Sequence, residues 1–219
     1  MIRYIIVRLR AICGLTPLDP LRYNMPHLTP LPRDAVPEFK ALFDHYENTR
    51  GFVPNSILTM SRRPGIAKAF MQLNQAVLYE GTVAEELKML VSLIASQAAG
   101  CLYCQAHMAN LSSIYKASGE KIAAVWEFET SDLFNQAEKA ALRLAMKASI
   151  SPNQAAQEDF DELSKHFDEG QIVELVASVA LFGYLNRWND SMATELEEPP
   201  AKVARNIIGA SGWQPGKHG

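Results

Sequence analysis

Residues 82 to 100, TVAEELKMLVSLIASQAAG, decide the fold class of this chain. Val83, Leu87, Leu90, Val91, Leu93, Ile94 and Ala95 spread apolar groups around most of a helix's circumference rather than along one stripe. That is the pattern of a helix enclosed on all sides by others. Thr82 and Glu85 have the spacing of a capping box, and Gly100 suits the end of the helix. The stretch predicts a buried central helix over about 83–98.

Neighbouring segments read the same way. RDAVPEFKALFDHYENTRG has Asp34 near its start and Gly51 just past its end, and PGIAKAFMQLNQAVLYEG opens on Pro64 and closes on Gly81. After Gly100, CLYCQAHMANLSSIYKASG runs as a helix toward Gly119. Further helices are expected over about 119–127, 132–148 and 154–167, with a long last one from near Asp168 to near Ala193. No stretch alternates with period two between hairpin turns, so the fold class is all-α. Six of the twelve prolines lie between Pro17 and Pro37 and none between Pro64 and Pro152. This divides an extended Pro-rich N-terminal arm, 1–32, from a helical domain, 33–198, followed by a loosely held tail, 199–219.

Bulk composition narrows the function. At 219 residues and 48% hydrophobic content the chain can bury a sizeable core. A formal net charge of −3 provides no basic field for nucleic acid. No apolar run reaches the roughly 18 residues of a membrane span, and the early candidate MIRYIIVRLRAICGL is interrupted by Arg3, Arg8 and Arg10. Three cysteines, with Cys13 far from the other two, do not make a disulfide framework, and a reducing, cytoplasmic location is expected.

The most specific chemistry lies in GCLYCQAH. On a helix Cys101, Cys104 and His107 share one face, each about 4.5 Å of rise from the next. Gly100 puts Cys101 at the cap or first turn, where unpaired N–H groups and the helix dipole favour a thiolate, and His107, one turn below as proton acceptor or imidazolium partner, is expected to lower the pKa of Cys104. Three readings follow: a redox or catalytic pair, packed core cysteines, or a metal site. Zinc needs a fourth ligand, for which only the remote His27, His45 and His166 are on offer. No metal and no cofactor are expected.

A long apolar helix, a glycine and then GCLYCQAH, with AEKAALRLAMKAS and ALFGYLNRWNDSMATELEEPP further on, resembles the carboxymuconolactone decarboxylase superfamily, in particular its alkylhydroperoxidase D-like branch. The similarity covers roughly residues 50–195. It implies a peroxidase-like oxidoreductase: Cys104 attacks the peroxide, Cys101 resolves the sulfenic acid into a disulfide, and His107 and a glutamate relay protons. The partners it implies are a peroxide or other small oxidant, a thiol or dithiol reductant, and further copies of the chain in a trimer, hexamer or dimer. Two positions depart from the family pattern. His107 follows Cys104 one residue early, and the relay glutamate's position holds Met89, leaving Glu85 and Glu86 as candidates. The alternatives are a carboxymuconolactone decarboxylase-like enzyme, which does not depend on the cysteine pair, and a non-catalytic helical oligomer.

Other residues are assigned to the pocket more loosely. Ser96 and Gln97 precede the glycine, and Tyr103 sits between the cysteines. Asn186 and Arg187, in NRWND, concentrate polar groups inside an apolar helix and need partners there.

Overall fold

The structure is a computed structural model and describes residues 25–219. Ten α-helices, and no strand, occur among the described residues. In chain order they are α1 Lys40–Arg50, α2 Asn55–Met60, α3 Pro64–Tyr79, α4 Glu85–Ala99, α5 Leu102–Ile114, α6 Gly119–Ala123, α7 Gln136–Ser149, α8 Gln157–Leu163, α9 Glu169–Met192 and α10 Glu198–Ile207.

Helix α4 is the hub. It packs against α5, α7 and α9, and every residue from Leu87 to Ser96 is buried. The apolar circumference read from the sequence therefore has a packing partner on each side, and each enclosed aliphatic side chain stabilises the fold by about 1.5–3 kcal/mol. The helix begins differently from expectation. Thr82 and Glu85 form no capping box; Ala84 is the N-cap and supplies no side-chain bond. The turn leading into the helix is held instead from α9, whose Glu174 carboxylate accepts the N–H groups of Thr82 at 2.8 Å and Val83 at 3.0 Å. The same carboxylate pairs with Lys88 at 2.8 Å, and Lys88 is only 1% exposed. Gly81, at φ +92°, is required here, because a Cβ would stand 2.3 Å from that carboxylate.

The other end of α4 positions the cysteines. Gly100 adopts φ 76°, its N–H reaches the Gln97 carbonyl, and the Cys101 N–H reaches Ser96, which is the bond pair of a Schellman stop. The chain leaves this turn with Cys101 already at the N-cap of α5, and the Cys101 sulfur accepts the Cys104 N–H at 3.4 Å.

Two expectations at the chain's flanks change. Pro37 splits the first helical segment into short 3₁₀ turns at Arg33–Ala35 and Pro37–Phe39 before α1 begins. The segment read as a loose tail is an ordered helix followed by a packed end. With prolines at its first turn, α10 lies on α5, and buried Trp213 donates its indole N–H to the Leu102 carbonyl at 3.1 Å. Most of the Pro-rich arm lies outside the described residues. Its last part runs without helix along the body, with the His27 N–H on the Met192 carbonyl and Arg62 on the Thr29 carbonyl.

Candidate active site

Helix α5 delivers both cysteines to the interior. Cys101 is 0% and Cys104 2% exposed, and both are free thiols. Cys104 faces a small cavity of about 50 Å³, lined also by His107, Tyr103, Ser56 and Asn189. Cys101 does not reach that cavity; its sulfur is turned toward the helix start as a cap. The two thiols are thus inequivalent: one borders the empty space and the other stands behind it.

The carboxylate that meets His107 is neither Glu85 nor Glu86 but Glu197, ninety residues further along the chain. Its Oε2 lies 2.7 Å from His107 Nε2, and its Oε1 accepts the Tyr103 hydroxyl at 3.0 Å and the Asn55 N–H. Tyr103 also stacks on the His107 ring with centroids 4.3 Å apart, while Phe52 meets that ring edge-on. These contacts hold the imidazole in one orientation. With Nε2 committed to Glu197, Nδ1 is the nitrogen available for proton exchange. The tyrosine hydroxyl stays protonated, because burial, and then the Glu197 carboxyl beside it, push its pKa well above the usual phenol range.

The thiol departs from expectation in the same direction. Burial pushes Cys104 well above the ordinary thiol range, and the neighbouring Cys101 adds to this. The helix start does not offset these effects, because the Cys101 sulfur, not Cys104, occupies the cap. Only the Asn189 side-chain N–H, 3.4 Å from the Cys104 sulfur, works against them. Cys104 therefore rests as a thiol and has to give up its proton when substrate arrives.

The remaining candidates scatter. Glu86 pairs with Lys121 at 2.9 Å on the protein's side. Glu85 lines a separate outer groove. Ser96 is buried with its hydroxyl on the Ser92 carbonyl, Met89 is fully enclosed core, and Gln97 has a buried side-chain oxygen with no partner. Arg187 is exposed, and Asn186 is buried with both amide atoms unpaired. The residue of NRWND that reaches the thiol is Asn189, three positions on, nearly one turn along the helix. Among the described residues no cluster of His, Cys, Asp or Glu is arranged to hold a metal ion.

The carboxymuconolactone decarboxylase family model matches residues 64–147, from the start of α3 to near the end of α7. The debrominase Bmp8, in its apo form, is 38% identical and superimposes with a TM-score of 0.76 over 82% of this chain and 96% of its own. A cysteine-to-alanine variant of Bmp8 in complex with 2,3,4-tribromopyrrole gives 37% and 0.77 over the same shares. An alkylhydroperoxidase D core protein from Ralstonia eutropha JMP134, at 23% identity and a TM-score of 0.70 over 78% of this chain and 92% of its own, shares the fold. The chain belongs to the carboxymuconolactone decarboxylase superfamily. Among curated relatives on this scaffold, YnjA of Escherichia coli K12 is 29% identical over 106 residues, 48% of this chain and 58% of YnjA. Helices α4 and α5 lie inside the family match, whereas Glu197 and Asn189 lie outside it.

Proposed function

We propose that this protein is a dithiol oxidoreductase that reduces a peroxide at Cys104. The observation that carries the reading is the inequivalence of the two sulfurs: Cys104 borders the cavity beside His107, and Cys101 waits behind it. When a hydroperoxide enters, the Cys104 proton passes to His107, whose imidazolium is stabilised by Glu197. The sulfur attacks the terminal peroxide oxygen, the O–O bond breaks, and the departing alkoxide takes the proton back. Cys101 then attacks the sulfenic acid, forming the disulfide and releasing water. The balance is one hydroperoxide and two thiols in, one alcohol, one water and one disulfide out, and an external thiol or dithiol reductant restores the pair.

Identity of 37–38% with a debrominase over 96% of that chain favours a second reading with the same atoms. Here Cys104 takes a halogen from a carbon–halogen bond, the carbon takes the proton, and Cys101 displaces halide as the disulfide forms. Both versions use enzyme thiols as the two-electron donor, and both set the decarboxylase alternative aside.

The test is stoichiometric. Reduced protein is mixed with one equivalent of cumene hydroperoxide or a polyhalogenated pyrrole, and the peptide spanning Cys101 and Cys104 is analysed by mass spectrometry. One disulfide per alcohol, or per halide, is expected. Thiols that stay unreactive to both in the folded protein and react only in denaturant would overturn the reading in favour of a packed core.

The exposed outer face of α9 carries Val173, Val176 and Tyr184. Burying it against another copy is the arrangement that supports self-association.

A further inference from the structure

A groove of about 1170 Å³ opens between α1, α3 and α5. Its walls include Phe39, Leu42, Met71, Ile114 and Tyr115. Tyr46, Arg50, Asn74 and Leu111 line both this groove and the small cavity at Cys104. The two spaces therefore abut across those four side chains. Hydrogen peroxide has no use for a groove of this size, whereas an organic molecule of one or two rings finds ample room along its apolar walls.

Arg50 stands at the junction. Its guanidinium carbon lies 4.8 Å from the centre of the Tyr46 ring, and one terminal N–H group donates to the Tyr79 hydroxyl. Among the described residues it forms no ion pair, although Glu38, Glu80 and Glu85 line the same groove. A guanidinium has five N–H donors in a rigid fork suited to a carboxylate. Two tyrosines hold this one in place, and its charge is uncommitted. The three carboxylates in the groove, set against Arg50 and Lys68, disfavour a ligand with several negative charges.

We infer that Arg50 recognises the anionic group of a monoanionic organic acid, whose apolar body occupies the groove while its reacting atom enters the cavity at Cys104. This names the substrate class for the dithiol chemistry proposed above and rests on that reading for the identity of the reacting atom. The anion itself is held without any redox step. The groove supplies affinity through buried apolar area, and Arg50 supplies orientation and the selection of an acid over a neutral molecule of the same shape.

The experiment measures binding without turnover. Reduced full-length protein is titrated calorimetrically with 4-isopropylbenzoate and, separately, with neutral 4-isopropylbenzamide. The benzoate is expected to bind at least about ten-fold more tightly than the amide. Arg50→Met should erase that preference, and Arg50→Lys, which keeps the charge and loses the fork, should retain part of it. Equal affinities for acid and amide in the wild type, no binding of either, or a preference that survives in Arg50→Met would overturn the inference. Because no disulfide has to form, a failure here is distinguishable from a failure of the dithiol reading, which is decided by thiol stoichiometry in the wild type.

Discussion

The two ends of helix α4 carry the two most consequential polar clusters of the molecule, and they are built on opposite rules. At the N-terminal end buried Lys88 pairs with partly buried Glu174, and the same carboxylate accepts two backbone N–H groups of the turn before the helix. Every strong group there has a partner. Beyond the C-terminal end, buried Cys104 rests as a thiol with a raised pKa, the Asn189 side-chain oxygen has no partner, and a cavity remains. A fully satisfied buried cluster rigidifies a fold, whereas an incompletely satisfied one has bonding capacity left for a ligand. The first cluster should govern stability and the second reactivity, and substitutions can separate them.

The largest effect is expected at the sulfur. Cys104→Ser should abolish disulfide formation and lower peroxide turnover by at least about 1000-fold. Cys101→Ser should leave the first attack intact and let a sulfenic acid accumulate on Cys104, detectable with dimedone. Dimedone labelling of Cys101 in Cys104→Ser, with none of Cys104 in Cys101→Ser, would reverse the assigned roles.

At the opposite end Glu174→Ala leaves Lys88 buried without its partner and should cost about 3–5 kcal/mol in urea unfolding, with disulfide formation by the folded fraction retained. Gly81→Ala should act in the same direction, since its Cβ would meet the same carboxylate. Loss of reactivity without loss of stability in either variant would erase the distinction between the two ends.

Acid provides a second measurement on that pair. Burial favours the neutral form of Glu174, yet the hydrogen bonds from Lys88, Thr82 and Val83 win and hold its pKa at about 2, against 4.5 for a free glutamate. A depressed pKa means that the contribution is fully present above pH 4.5 and is lost as pH falls toward about 2. The contribution is about 3 kcal/mol. Glu174→Gln should flatten the acid limb of the stability profile over that window, as followed by circular dichroism.

Glu197→Gln should slow disulfide formation by about 100-fold while changing stability little, because the amide preserves the shape of the contact to His107 and removes its charge. The raised Cys104 pKa adds a pH signature: alkylation of the resting protein should keep increasing through pH 9 instead of levelling off near neutrality. A plateau near pH 7 would mean that the thiolate is already formed at rest.

The smallest effect per residue concerns self-association. Light scattering at micromolar concentration should report a multiple of 24.3 kDa, and Val176→Lys, on the exposed face of α9, should shift it downward. A wild-type mass near 24.3 kDa would remove that proposal.

The sequence by itself determined the helical class, the buried central helix, the glycine that ends it and the start of the next helix at Cys101. Each of these is written in residues close together in the chain: apolar groups all round a helix and a left-handed glycine. What the tertiary structure decided is where distant segments supply the missing groups. Glu174 holds the turn that leads into α4 from 92 residues away, where the sequence suggests a local Thr82–Glu85 box. Glu197 meets His107 because α10, taken from sequence as a loose tail, packs on α5. The carboxylates near Met89 in the chain, Glu85 and Glu86, face the outer groove and Lys121. The Cys104 pKa was likewise misread, since helix position is local and burial is not. Spacing along a helix is a property of the backbone, whereas proximity across helices and the solvation of a thiol belong to the packed whole.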